Sequence, residues 1–204
     1  MTYNPDIHHR RSIRLKGYDY TQAGAYFVTI VTQGRECVFG DVVDDEMQLN
    51  DAGLMVQAAW EALAERFPTV ELDEFGVMPN HIHSIIVIAG NIGATLVVAS
   101  NRAGTSPAPT TCGDDADVGA TLVVAQDTTP TLGNIVGAFK SITTNEYIRG
   151  VHDLGWPPFN KRIWQRNYYE HIIRNERELD CIREYIVNNP LKWALDTEHP
   201  GANR

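Results

Sequence analysis

The segment "HIHSIIVI", residues 81–88, constrains the fold more than any other. Its run of β-branched and apolar residues reads as a buried core strand. Two histidines, His81 and His83, interrupt that run one residue apart. Side chains alternate along a strand, so both imidazoles face the same side. Two imidazoles on one face of a rigid strand can bind a divalent metal and leave positions open for substrate. The same pair can instead be core histidines satisfied by backbone hydrogen bonds.

Around this strand the chain supplies both strands and helices. "AYFVTIVTQ" (25–33) is rich in aromatic and β-branched residues and reads as a strand. "CVFGDVVDDEMQLN" predicts a hairpin turning at Asp44-Asp45. Asn50-Asp51 then offers a helix cap, and Val56, Ala59, Trp60, Leu63 and Phe67 follow at helical spacing. "VELDEFGVM" is a further strand before the histidines. A second helix carries Leu132, Ile135, Val136, Phe139 and Ile142 on one face. A third runs from about 176 to 188 with Leu179, Ile182 and Ile186 inward, and Pro190 ends it. This order predicts an α+β domain, an antiparallel β-sheet with helices packed on it. At 204 residues one domain spans the chain, 1–204.

Residues 91–129 break the pattern. They are rich in Gly, Ala, Thr, Pro and Asp, and "IGATLVVAS" from Ile92 returns as "VGATLVVAQ" from Val118. Two copies are too few for a solenoid. The stretch reads as a low-complexity insertion into an exposed loop. Its codons add a hint. Reverse-complementing Val-Gly-Ala-Thr-Leu-Val-Val-Ala in a shifted frame gives a peptide that agrees with residues 103–110 at six of eight positions. The encoding DNA is therefore expected to be an imperfect palindrome.

Charge and cysteines narrow the setting. The net charge of -9 argues superficially against a nucleic-acid partner. Yet fifteen acidic and only two basic residues lie between Glu36 and Asp127. Most other basic residues sit in "HHRRSIRLK" near the N-terminus and in 130–192. A positive face on an acidic protein fits that distribution, and so does ordinary solvated charge. Three widely spaced cysteines without a CxxC pair fit a reducing cytoplasm and argue against a thiolate zinc site. The polar, basic start has no apolar stretch to act as a secretion signal. The most membrane-like stretch, 84–100, contains Gly90, Asn91, Gly93 and Thr95, so no bilayer span is expected.

The last helix holds a second chemical feature, "CIREYIVNNP". Tyr185 and Asn189 stand four residues apart on one helical face. A tyrosine hydroxyl can be a covalent nucleophile, and an amide oxygen beside it can be a metal ligand. Both can also be ordinary: a packing tyrosine, and an Asn before Pro at a helix end. Tyr168 and Tyr169 compete as nucleophiles, but Ile172 and Ile173 occupy the ligand position four residues on.

His-hydrophobic-His on a strand together with Tyr-x-x-x-Asn on a helix resembles the HUH single-strand DNA endonucleases. Within them the chain is similar to the REP-associated tyrosine transposases, through "YFVTIVTQGR", "MPNHIHSIIVI", "IWQRNYYEHIIRNERELDCIREYI" and "NNPLKW". The resemblance covers most of 8–195, and the insertion at 91–129 is the main departure. It implies a ferredoxin-like HUH fold. It implies His81, His83 and Asn189 as ligands of Mg²⁺ or Mn²⁺, and Tyr185 as nucleophile. The implied reaction cleaves and rejoins single-stranded DNA at palindromic hairpin repeats through a 5′-phosphotyrosine intermediate. For Arg162, Gln165 and Arg166, and for Arg10, Arg11, Arg14 and Lys16, DNA backbone contact stands beside a solvated loop or tail. A monomer or homodimer in a prokaryotic cytoplasm, on the nucleoid when bound to DNA and away from any membrane, completes the expectation. Two rivals stay open: a hairpin-binding protein that has lost its chemistry, and a metal-dependent hydrolase using water.

Overall fold

The computed structural model describes residues 18–89 and 130–202, which lie in one compact unit. The stretch read as an insertion, 91–129, and the basic residues Arg10, Arg11, Arg14 and Lys16 lie outside the described residues.

Strand β1 is Gly24–Val31. A short hairpin of β2 (Gly40–Val43) and β3 (Glu46–Leu49) turns at Asp44 and Asp45, as the sequence predicts. Both turn residues have positive φ, 50° and 65°, the two-residue geometry that matches strand twist. Asn50 caps helix α1 (Asp51–Glu61), its side-chain oxygen accepting from Gly53 N at 2.9 Å. Leu63 belongs to a separate short turn, α2 (Leu63–Arg66), so the first helical pattern breaks at Ala62. β4 (Val70–Met78) and β5 (His81–Ile88) follow. α3 (Leu132–Asp153) opens on a capping box at Thr131 and Asn134. β6 (Tyr169–Ile173) and α4 (Glu176–Val187) follow, and a 3₁₀ segment, Pro190–Leu195, continues beyond them.

The main sheet runs in the order β4-β5-β1-β6, and every neighbouring pair is antiparallel. With α1 between β1 and β4 and α3 between β5 and β6, this is the β-α-β-β-α-β ferredoxin-like arrangement. The strand bearing the histidines is interior, and it is buried on both faces. Ile82, Ile86 and Ile88 point into the larger core, with Tyr26, Val28, Ile30, Trp60 and Phe139. His81, His83 and Ile85 point the other way, toward α4. This double burial is why the strand shows no clean alternation of polar and apolar residues.

The α4 side has a thin core. Phe27, Ile85, Ile173 and Ile186 are its buried members. Polar ties at both sheet edges supplement it. Arg183 grips Asp73 of β4 in a two-pronged pair, Nε to Oδ1 at 2.8 Å and Nη2 to Oδ2. Asp73 lies where the β4–β5 register shifts, between Leu72 and Phe75. On the opposite edge, His171 of β6 meets Glu178 of α4 at 2.7 Å. Gly76 completes the fit, because a Cβ there would stand 2.9 Å from Cγ2 of Ile186.

Candidate functional site

The two histidines sit at the Val31 end of β1, where His81 pairs with Val31 and His83 with Thr29. Both are almost fully buried, at 0% and 4% exposure. Burial, with Arg35 adding to it, pushes the His81 imidazole down to about 3. Burial and the His81 neighbour hold His83 well below the usual histidine range, against the pull of Asp196. Both rings are therefore neutral near pH 7, the form that binds metals.

The hydrogen bonds orient the rings. Asn80 Nδ2 donates to the carbonyls of Arg35 and Glu198, which leaves Asn80 Oδ1 as an acceptor. His81 Nδ1 lies 2.9 Å from that oxygen and donates to it. The Nε2 lone pair of His81 is then free, and it faces His83 Nε2 at 3.0 Å. His83 Nδ1 lies 2.9 Å from Thr29 Oγ1, which can accept or donate. If His83 Nδ1 donates, two lone pairs share one narrow gap, an arrangement that a cation relieves. If it accepts, the imidazoles bond each other. Neither histidine bonds to a backbone group through its ring in this arrangement, contrary to the ordinary core reading.

Tyr185 and Asn189 come to the same place on α4 and its continuation. The Tyr185 hydroxyl is 3.4 Å from His83 Nε2, and the residue is 40% exposed. Burial raises its phenol above the usual tyrosine range, helped by Asp196, while the Asn189 amide opposes the shift. Asn189 Nδ2 donates to Asp196 Oδ2 at 3.2 Å, which turns Asn189 Oδ1 elsewhere, buried and without a hydrogen-bond partner.

Asp196, which the sequence reading did not single out, joins this cluster. Its Oδ2 lies 4.0 Å from His81 Nε2, and ligand atoms of His81, His83 and Asp196 all fall within 4.8 Å of one another. No sequence signal marks it: it is one of two acidic residues, with Glu198, in a C-terminal stretch that packs back on the site. That stretch is anchored by Arg35 to Glu198 at 2.9 Å and by Trp193, whose ring lies 5.9 Å from His81. A donor set of two neutral imidazoles, a carboxylate and an orphaned amide oxygen fits a divalent cation.

The competing tyrosines separate by strand alternation. Tyr168 turns to the α3 side, where Lys140 Nζ stands 5.4 Å over its ring. Tyr169 falls on the α4 side, edge-on to Phe27. Arg162, Gln165 and Arg166 gather in a shallow groove of about 330 Å³ beside α3, with Ser141, Thr144 and Asn145. This loop is built in. Lys140 Nζ donates to the carbonyls of Gln165 (2.9 Å), Arg166 (3.4 Å) and Asn167 (3.2 Å), and Gln165 N donates to Val31 O at 2.9 Å. Val31 pairs with His81, so the groove's loop is tied to the histidine end of the sheet. Among the described residues no helix is long and apolar enough to cross a membrane.

Comparison with known proteins gives sequence relatives. No protein-family model matches the chain. An uncharacterized protein of Haemophilus influenzae is 41% identical over 197 residues, covering 95% of each chain. A second protein of that organism, named "Putative REP-associated tyrosine transposase", is 23% identical over 174 residues, 85% of this chain and 74% of its own. A solved structure of a REP-associated tyrosine transposase bound to a REP hairpin matches at TM-score 0.49 and 19% identity, over 88% of this chain and 73% of that one.

Proposed function

We propose that the chain is a REP-associated tyrosine transposase, like the relative of that name that is 23% identical over 85% of it, and that it cleaves and rejoins single-stranded DNA at palindromic hairpins through Tyr185. The observation that carries this reading is the approach of the Tyr185 hydroxyl to the buried His81–His83 pair. A tyrosine this close to two neutral imidazoles, a carboxylate and an unpartnered amide oxygen has more than a packing role.

His81, His83 and Asn189 would hold a divalent metal, Mg²⁺ or Mn²⁺, with Asp196 as a further ligand. Such an ion would polarise the scissile phosphate and stabilise the charge that develops on it. Asn80 and Thr29 fix the planes of the two imidazole rings. The Tyr185 oxygen attacks phosphorus, the 3′-oxygen leaves, and the 5′-phosphate stays on the protein. Keeping the phosphodiester in that link lets a free 3′-hydroxyl reverse the step, which is what strand transfer requires. Half-exposure of Tyr185 leaves room for a DNA strand to reach it. Arg162, Gln165 and Arg166 would take the DNA backbone beside the site, and Arg10, Arg11, Arg14 and Lys16 would extend that contact. Acting on the nucleoid places the protein in the cytoplasm.

The experiment is incubation with labelled single-stranded hairpins from the host genome and Mn²⁺ or Mg²⁺, resolved on a denaturing gel. A covalent protein–DNA band is expected, lost in EDTA and in His83→Ala. Cleavage without any covalent band would favour the water-using hydrolase. Hairpin binding with no cut would favour a binding protein. We read residues 91–129 as an insertion without a part in the chemistry. A folded protein lacking them that still forms the adduct would agree, and one that folds but forms none would refute it.

A further inference from the structure

Tyr169 occupies one rung of the main sheet with His83. In register, Tyr169 of β6 faces Thr29 of β1, and Thr29 faces His83 of β5. Two strand spacings, roughly 10 Å, separate Tyr169 from His83 along the rung. Alternation puts the Tyr169 side chain on the α4 face, the face of His83 and Tyr185.

The ring is both exposed and braced. Tyr169 is 49% exposed on an edge strand. Its ring stands edge-on to Phe27, centroids 6.5 Å apart at 69°. Tyr185 stands edge-on to the same Phe27 at 6.0 Å and 86°, and Phe27 stacks on His83 at 5.4 Å. One buried phenylalanine thus supports two half-exposed tyrosines and one metal-site histidine. The Tyr169 hydroxyl has no hydrogen-bond partner among the described residues. An exposed aromatic beside a site that handles single strands is what base stacking uses, and stacking tolerates any base.

We propose that Tyr169 is a base-stacking residue, seating the unpaired nucleotide next to the scissile phosphate so that the phosphate reaches Tyr185. This rests on the single-stranded DNA reading of the site. The test uses the full chain carrying Tyr185→Phe, so that DNA stays uncut. The probes are a blunt hairpin oligonucleotide and the same hairpin with a short oligothymidine flank in which one 2-aminopurine is moved along the strand. With the ring present, 2-aminopurine fluorescence should be quenched at one flank position. Tyr169→Ala should abolish that quenching and weaken binding of the flanked hairpin roughly tenfold or more, leaving the blunt hairpin unchanged. Tyr169→Phe should behave as Tyr169 does. Equal binding and quenching in Tyr169→Ala would overturn the stacking role, as would a loss in Tyr169→Phe matching that in Tyr169→Ala. Weaker binding of the blunt hairpin in Tyr169→Ala would mark a general structural effect and also overturn it. Failure of every variant to bind either probe would sink the DNA reading itself, and the proposal with it.

Discussion

A Cβ on Gly76 would stand 2.9 Å from Cγ2 of Ile186, the residue that follows Tyr185 on α4. Gly76 also pairs with His83 in register. One missing methyl therefore sets how closely the helix bearing Tyr185 lies on the strand bearing His81 and His83. Gly76→Ala must shift α4 or strain Ile186, at a cost of about 1–3 kcal/mol. Adduct formation is expected to fall well over tenfold while hairpin binding changes little, because the hydroxyl leaves its place beside His83. Parallel measurement of binding and adduct yield checks this. An unchanged adduct yield in a folded Gly76→Ala protein would show that α4 does not need this close approach.

The Arg183–Asp73 pair gives α4 a pH-dependent tie. Hydrogen bonds from Arg183 hold the Asp73 carboxyl below the usual carboxylate range, with the Glu74 amide adding to the effect. A carboxylate depressed in the folded state stabilises fully above its unfolded value, near 3.8, and loses that contribution as pH falls through the folded value. Wild type is therefore expected to melt above Asp73→Asn at pH 7, with the gap closing below about pH 4. Thermal melts of both proteins across that range measure it. A gap that is absent at pH 7, or that persists unchanged in acid, contradicts the tie.

Arg162 and Arg166 line the groove beside α3. If they meet phosphates, replacing either with Gln should weaken hairpin binding across all sequences and lower the salt slope of log K by about 1. Binding isotherms at several salt concentrations report this directly. A weaker affinity with an unchanged slope would assign the loss to loop structure rather than to phosphate contact.

The elements that could be read from sequence are those with a local signal. The Asp44-Asp45 turn, the Asn50 cap and the inward faces of α3 and α4 each follow from residues next to one another. His81 and His83 were visible because strand alternation alone puts them on one face. β6 was missed: five residues, "YEHII", mix charged and apolar side chains, and only pairing with β1 makes them a strand. Asp196 was missed for a different reason. It reaches the histidines through the return of the C-terminal stretch, a contact held by Arg35, Asn80 and Trp193 rather than by any spacing. The break between α1 and α2 at Ala62 was equally hidden, since Leu63 and Phe67 keep the helical period across it.

The central claim is that Tyr185 carries the covalent link to DNA, and peptide mapping of the adduct tests it most directly. Wild-type protein is reacted with a labelled single-stranded hairpin and Mn²⁺, digested, and the DNA-linked peptide sequenced by mass spectrometry. The account predicts a phosphotyrosine link on Tyr185, and no adduct from Tyr185→Phe although that protein still binds the hairpin. A link on Tyr169 or Tyr168, or an adduct that survives in Tyr185→Phe, would contradict it.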